Sequence, residues 1–141
     1  MIFYLDTSVL VAALMHEAET ERLQRWLGDQ EPELLAISDW VTAEFSSALS
    51  IKLRSGQIEM QHRADALAMF TTMSAETFTV LPISGAQFRA AALFADQHAL
   101  GLRAGGALHL AICADHGATL CTLERQLSEA GPALGVKTAL V

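Results

Sequence analysis

Short unbroken apolar runs alternate along this chain with longer stretches of helical spacing. The first run, Ile2-Phe-Tyr-Leu5, has the aromatic and β-branched content of a strand buried on both faces. Leu34-Leu-Ala-Ile37, Phe78-Thr-Val-Leu81 (closed by Pro82), Ala118-Thr-Leu-Cys121 and Val136 to Val141 read as further strands. Between them, Val9 to Leu14 winds as a buried helix with Thr7 or Ser8 as its cap. Glu17 to Asp29 carries Leu23, Trp26 and Leu27 at helical spacing. Ser38 caps a helix from Asp39 towards Arg54, ended by Gly56, with Trp40, Val41, Phe45, Ala48 and Leu49 on one broad face. Gln57 to Glu76 is a helix with Ile58, Leu67, Met69 and Phe70 inward. Ser84 to Gln87 fits a capping box, opening a helix that runs to about His98 before Gly101 breaks it. Ala104 to His116 is a strongly apolar helix, and Glu124 opens a short one to Ala130.

Strands that alternate with helices imply parallel β-α-β units with right-handed crossovers. The expected fold is α/β: a three-layer sandwich around a mainly parallel sheet of about five strands, in a single domain over residues 1–141. Asp6 then stands at the carboxyl end of the first strand, just before a helix. Ligands bind there in open α/β sheets. Asp6 either caps that helix or belongs to a site, and the strand pattern leaves both readings open.

Composition narrows the function classes. Of 141 residues, 52% are apolar and 18% charged, which points to surface covered by a partner or a second copy. No run approaches the ~20 apolar residues of a membrane span, and the opening segment lacks the basic start of a signal peptide. A net charge of −7 argues against general coating of nucleic acid, though not against a nuclease whose metal ions meet the phosphate. Cys113 and Cys121 read as reduced thiols, which places the chain in the cytoplasm.

Three acids stand beside apolar runs at element ends or on inner faces: Asp6, Glu44 and Glu124. Glu17, Glu19, Glu21, Glu31 and Glu33 sit in polar stretches and are solvated. Clustered carboxylates repel unless a cation joins them. Mg²⁺ or Mn²⁺ prefers such hard oxygen ligands and can orient a water for in-line attack on a phosphodiester. Spacing alone leaves a metal cluster and scattered structural acids as equal readings. His109, Cys113 and His116 share one helix face, but no fourth zinc ligand offers itself. Cys113 is expected in the core, His116 at the helix end, and His109 as a buried, hydrogen-bonded residue.

Four segments, Leu5-Asp-Thr-Ser-Val-Leu, Thr42-Ala-Glu-Phe, Leu102-Arg-Ala-Gly-Gly-Ala-Leu-His-Leu-Ala and Thr122-Leu-Glu-Arg-Gln-Leu, resemble the PIN-domain ribonucleases. The nearest likeness is to the VapC toxins of bacterial toxin–antitoxin pairs. The likeness covers nearly the whole chain in the same order. It implies a Mg²⁺- or Mn²⁺-dependent endoribonuclease with a site of four acids, a homodimer, and a VapB-like antitoxin through which operator DNA is reached. Asp6 and Glu44 match the first two acids, and Glu124 stands where the fourth, usually Asp, is found. The third departs: the family has Asp before Ala-Leu-His, where this chain has Gly106.

Gly106 is thus read as a lost ligand, although Gly105-Gly106 also simply eases a loop into a helix. Ser8 is read as a hydrogen-bond partner of a metal-bound water, or as a helix cap. Thr122 is read as a support for the site at the end of its strand, or as an ordinary strand-end hydroxyl. Arg103 and Arg125 are read as contacts to RNA phosphate or site acids, or as solvated arginines. Two functions follow: an endoribonuclease toxin with a weakened site, or an inactive PIN-domain protein that acts by binding antitoxin in a repressor complex. A phospho-acceptor role for Asp6 is weaker, because no second Asp follows at short spacing.

Overall fold

A computed structural model describes residues 1–141. Five strands form one sheet: β1 (Phe3–Leu5), β2 (Leu35–Ser38), β3 (Thr79–Leu81), β4 (Thr119–Thr122) and β5 (Thr138–Leu140). Their order is β3-β2-β1-β4-β5, and every neighbouring pair is parallel. Phe3 pairs with both Leu35 and Thr119, so β1 lies at the centre. Burial follows position: all of β2 is buried, whereas Thr79 and Val80 of β3 are exposed on the sheet's edge.

Seven helices flank the sheet: α1 (Thr7–Leu14), α2 (Thr20–Gly28), α3 (Asp39–Arg54), α4 (Met60–Glu76), α5 (Gly85–Asp96), α6 (Ala104–His116) and α7 (Arg125–Ala133). Helix α1 packs on α2, α3 and α4, while α5 packs on α6. One continuous cluster of 32 buried apolar residues joins sheet and helices, so the chain has a single core. No helix is long and apolar enough to cross a membrane.

Most elements lie where periodicity puts them. Helix α6 spans Ala104–His116 as expected, and the Ser84–Gln87 capping box is present. Gly56 and Gly101 follow their helical segments with φ of 75° and 66°, the left-handed region that favours glycine. Four expectations need correcting. The α1 cap is Asp6, whose carboxylate meets the Val9 N–H, and not Thr7 or Ser8. Ser38 holds the N-cap position of α3 without a side-chain cap bond, because its hydroxyl turns inward to Tyr4. Met69 is 52% exposed rather than inward, and α4 starts at Met60, not Gln57. Both cysteines are buried free thiols.

Candidate active site

A wholly parallel sheet brings its strands' carboxyl ends to one edge, and the loops after β1 and β4 meet there. Asp6 leaves β1 with its amide still donating to the Cys121 carbonyl of β4 at 3.1 Å. Its side chain is 3% exposed. Oδ1 accepts from the Ser8 hydroxyl and, at 3.4 Å, from the Val9 N–H. Oδ2 accepts from the Thr122 hydroxyl at 2.6 Å. Burying a carboxylate is costly without such donors, so these bonds hold Asp6 in its place. Thr122 is therefore no idle strand-end hydroxyl: it also accepts the Glu124 N–H at 3.0 Å. The Ser8 hydroxyl is likewise engaged, donating to Asp6 and accepting from the Leu123 N–H at 3.1 Å.

Glu44 comes from the second turn of α3. Its Oε1 accepts from the Thr7 hydroxyl at 2.7 Å and faces His109 Nε2 at 2.5 Å. Behind His109, Nδ1 stands 2.8 Å from the Tyr4 hydroxyl, which is 2.7 Å from Ser38 Oγ. Burial alone would raise the Glu44 carboxyl, but the hydrogen bond from His109, the charge of that ring when protonated, and the Thr7 hydroxyl outweigh it and hold the group below its ordinary value. Burial pushes the Tyr4 phenol far above its ordinary value, so it stays protonated. Periodicity shows an apolar Tyr4 and a helix-capping Ser38; neither carries a signal that they join a polar relay.

Glu124 stands at the N-cap position of α7. Its carboxyl is raised, first by burial and then by the charges of Asp6 and Glu44, with His109 opposing. The three acids thus share one electrostatic environment. Beside them opens a groove of about 830 Å³ whose walls include Thr7, Ser8, Trp40, Glu44, Leu123 and Glu124. Asp6 lies beneath that wall. Further along the groove, Lys52 Nζ pairs with Glu17 Oε1 at 3.0 Å.

Gly105 and Gly106 open α6 at this edge. A Cβ on Gly105 would stand 2.8 Å from Glu44 Oε2 and 3.6 Å from Trp40 Nε1. The Trp40 N–H is buried without a partner. A Cβ on Gly106 would meet Leu127 Cδ1 at 3.2 Å and Leu102 Cδ2 at 3.9 Å. The glycine directed at Glu44 is thus Gly105, while Gly106 faces the start of α7. Arg103 and Arg125 are exposed and form no ion pair. Cys113 is buried, and His116 lies at the helix end, 3.4 Å from both Gln87 Nε2 and the Pro82 carbonyl, so the zinc reading has no cluster.

The carboxylates fit a hard divalent cation in chemical kind. Glu44 uses only Oε1 for its protein partners, and Glu124 reaches the same groove. The set is short in number: no three His, Cys, Asp or Glu side chains are placed together to hold a metal ion, and position 106 supplies no donor.

Comparison with known proteins agrees with this architecture. No curated protein sequence matches the chain. Among solved structures, it is similar to FitAcB from Neisseria gonorrhoeae, at 19% identity and a TM-score of 0.70, over 97% of this chain and 96% of that one. VapC20 of Mycobacterium tuberculosis, a sarcin–ricin loop cleaving toxin, has a TM-score of 0.74 at 17% identity, over 92% of this chain and 95% of that one. VapBC2 from Rickettsia felis, bound to a DNA fragment from its promoter, has a TM-score of 0.67 at 17% identity, over 99% of this chain and 98% of that one. The PIN domain family model matches residues 3–131. With that match spanning β1 to α7, the chain belongs to the PIN domain family.

Proposed function

We propose that this PIN-domain chain is an endoribonuclease toxin of a bacterial toxin–antitoxin pair, with an acid cluster weakened by Gly106. What supports this reading is that Glu44 and Glu124 line one groove, with Asp6 held behind its Ser8 wall at the carboxyl edge of the sheet. The likeness in fold to a toxin that cleaves the sarcin–ricin loop supports RNA as substrate. The likeness to VapBC2 with promoter DNA supports a VapB-like antitoxin as partner, with operator DNA reached through it.

Asp6, Glu44 and Glu124 would hold Mg²⁺ or Mn²⁺, which when bound supplies an oriented water and stabilises the charge of in-line attack on a phosphodiester. The chain's own residues set the stage. Thr122 and Ser8 fix both oxygens of Asp6, and Thr7 and His109 fix Oε1 of Glu44. The unpaired guanidinium groups of Arg103 and Arg125 flank the edge as phosphate contacts, offsetting the repulsion between acids and RNA.

Position 106 also favours a second reading, an inactive PIN-domain protein that acts by binding antitoxin. One experiment separates them: Mg²⁺ and Mn²⁺ titration and RNA cleavage by this chain beside Gly106→Asp. The weakened-enzyme reading expects poor metal binding and slow cleavage by the parent, both raised by the substitution. The Leu127 side-chain end has to shift by a few tenths of an ångström to admit the new Cβ. No gain in either property removes the lost-ligand account. Cleavage by neither protein favours the binding role.

A further inference from the structure

The geometry points to Tyr4 and His109 as positioning residues for Glu44: their hydrogen bonds keep Oε1 occupied and present Oε2 alone to the groove. The functional weight of this assignment rests on Glu44 belonging to the proposed nuclease site. The proton order is itself a property of the fold.

The order follows from donor and acceptor counting. Thr7 Oγ1 donates to Glu44 Oε1, and His109 Nε2 stands 2.5 Å from the same oxygen. A carboxylate only accepts, so Nε2 carries a proton. With His109 as the neutral imidazole, the form this assignment requires, Nδ1 is an acceptor and the Tyr4 hydroxyl 2.8 Å away donates to it. Tyr4 Oη is left to accept, so the Ser38 hydroxyl 2.7 Å away donates in turn. In that form every proton in the line Ser38–Tyr4–His109–Glu44 points one way. Tyr4 and Ser38 are 0% exposed and His109 3%, so water does not compete for these bonds. The line crosses β2, β1, α6 and α3, and its anchor is the most buried part of the sheet.

The other half of the device is Gly105. Oε2 faces the space where a side chain at 105 would stand, 2.8 Å from where its Cβ would lie, with the unpartnered Trp40 N–H beside it. Glycine leaves that oxygen room to meet a cation or a water. Groups that hold a ligating carboxylate this way typically govern metal affinity by ten- to a hundred-fold.

The test has two arms on the full chain. The first reads His109 by ¹⁵N NMR, with its signal assigned through a His109→Gln sample. We expect the Nε2–H tautomer alone in the parent and a mixture of tautomers in Tyr4→Phe. An Nδ1–H or mixed parent overturns the proton order, even if Tyr4→Phe fails to fold. The second arm measures Mn²⁺ binding by water-proton relaxation in the parent, His109→Gln and His109→Leu. Gln keeps an N–H for Glu44 and should stay within about twofold of the parent. Leu should bind about tenfold more weakly. Equal binding, or equal failure to bind, across all three overturns the positioning role. Failure of the nuclease reading shows separately, as absence of RNA cleavage by Gly106→Asp with both arms intact.

Discussion

The Thr122 hydroxyl donates to Asp6 Oδ2 at 2.6 Å, joining residues 116 positions apart at the carboxyl ends of two adjacent strands. The same hydroxyl accepts from the Glu124 amide, so one side chain ties the first acid of the site to the backbone of the last. Thr122→Val keeps the shape and removes both bonds. It should cost about 2 kcal/mol in urea unfolding, since it strands a buried carboxylate oxygen. Unchanged stability would mean that another donor serves Oδ2.

Gly105 tests the space at Glu44, with Gly28 as its control. Alanine is intrinsically better in a helix by up to about 1 kcal/mol. At Gly28 a Cβ meets nothing within 4 Å, so Gly28→Ala should be neutral or stabilising. At Gly105 the new atom would lie 2.8 Å from Glu44 Oε2. That oxygen ends a flexible side chain and can move aside, so Gly105→Ala should gain less than Gly28→Ala, its helical advantage offset by the displacement of Glu44 from its partners. Thermal unfolding of the two variants checks their order.

Glu44 and Glu124 should respond to pH in opposite senses. The Glu44 carboxyl is lowered in the fold, so its ionised form stabilises the protein above the ordinary value of 4.5. That contribution is lost as pH falls through its lowered value. Glu44→Gln should thus be less stable than the parent at neutral pH, with the gap closing in acid. Glu124 is raised, so its charge costs stability at neutral pH and protonation relieves that cost. Glu124→Gln should be the more stable protein at neutral pH, and that gain should vanish below the carboxylate range. Parallel urea titrations at neutral and acid pH decide both.

The thiols should be silent in the native state. Burial, with the Asp6 charge, pushes Cys121 up to about 12, and burial pushes Cys113 higher still. Thiolate is the reactive form. A disulfide reagent at neutral pH should modify neither cysteine until denaturant is added, and then both. Rapid native labelling would show that the core opens locally.

A homodimer is expected of the proposed toxin. Phe88 is 55% exposed and Leu93 67%, on the same helix, α5. Light scattering at micromolar concentration should give about twice the 15.2 kDa chain mass. A clean monomer at that concentration removes this expectation.

Hydrophobic rhythm is enough to place the five strands and seven α-helices to within a few residues, because a fully parallel sheet needs unbroken apolar strands and amphipathic crossovers. The glycine break at Gly101 and the capping box at Ser84 were legible for the same reason: local backbone geometry demands particular residues. The acids Asp6, Glu44 and Glu124 stood out as charges beside apolar runs. What each acid touches was not legible, because its partners come from distant elements. Thr122 looks like any strand-end hydroxyl until β4 lies beside β1. Tyr4 looks like a core aromatic until α6 brings His109 within 2.8 Å of its hydroxyl. Nor can two adjacent glycines be told apart along a chain; only the rotation of α6 directs position 105 at Glu44 and position 106 at Leu127. Periodicity reports which face of an element is buried, whereas a polar site depends on which buried faces meet, and that is decided when the elements pack.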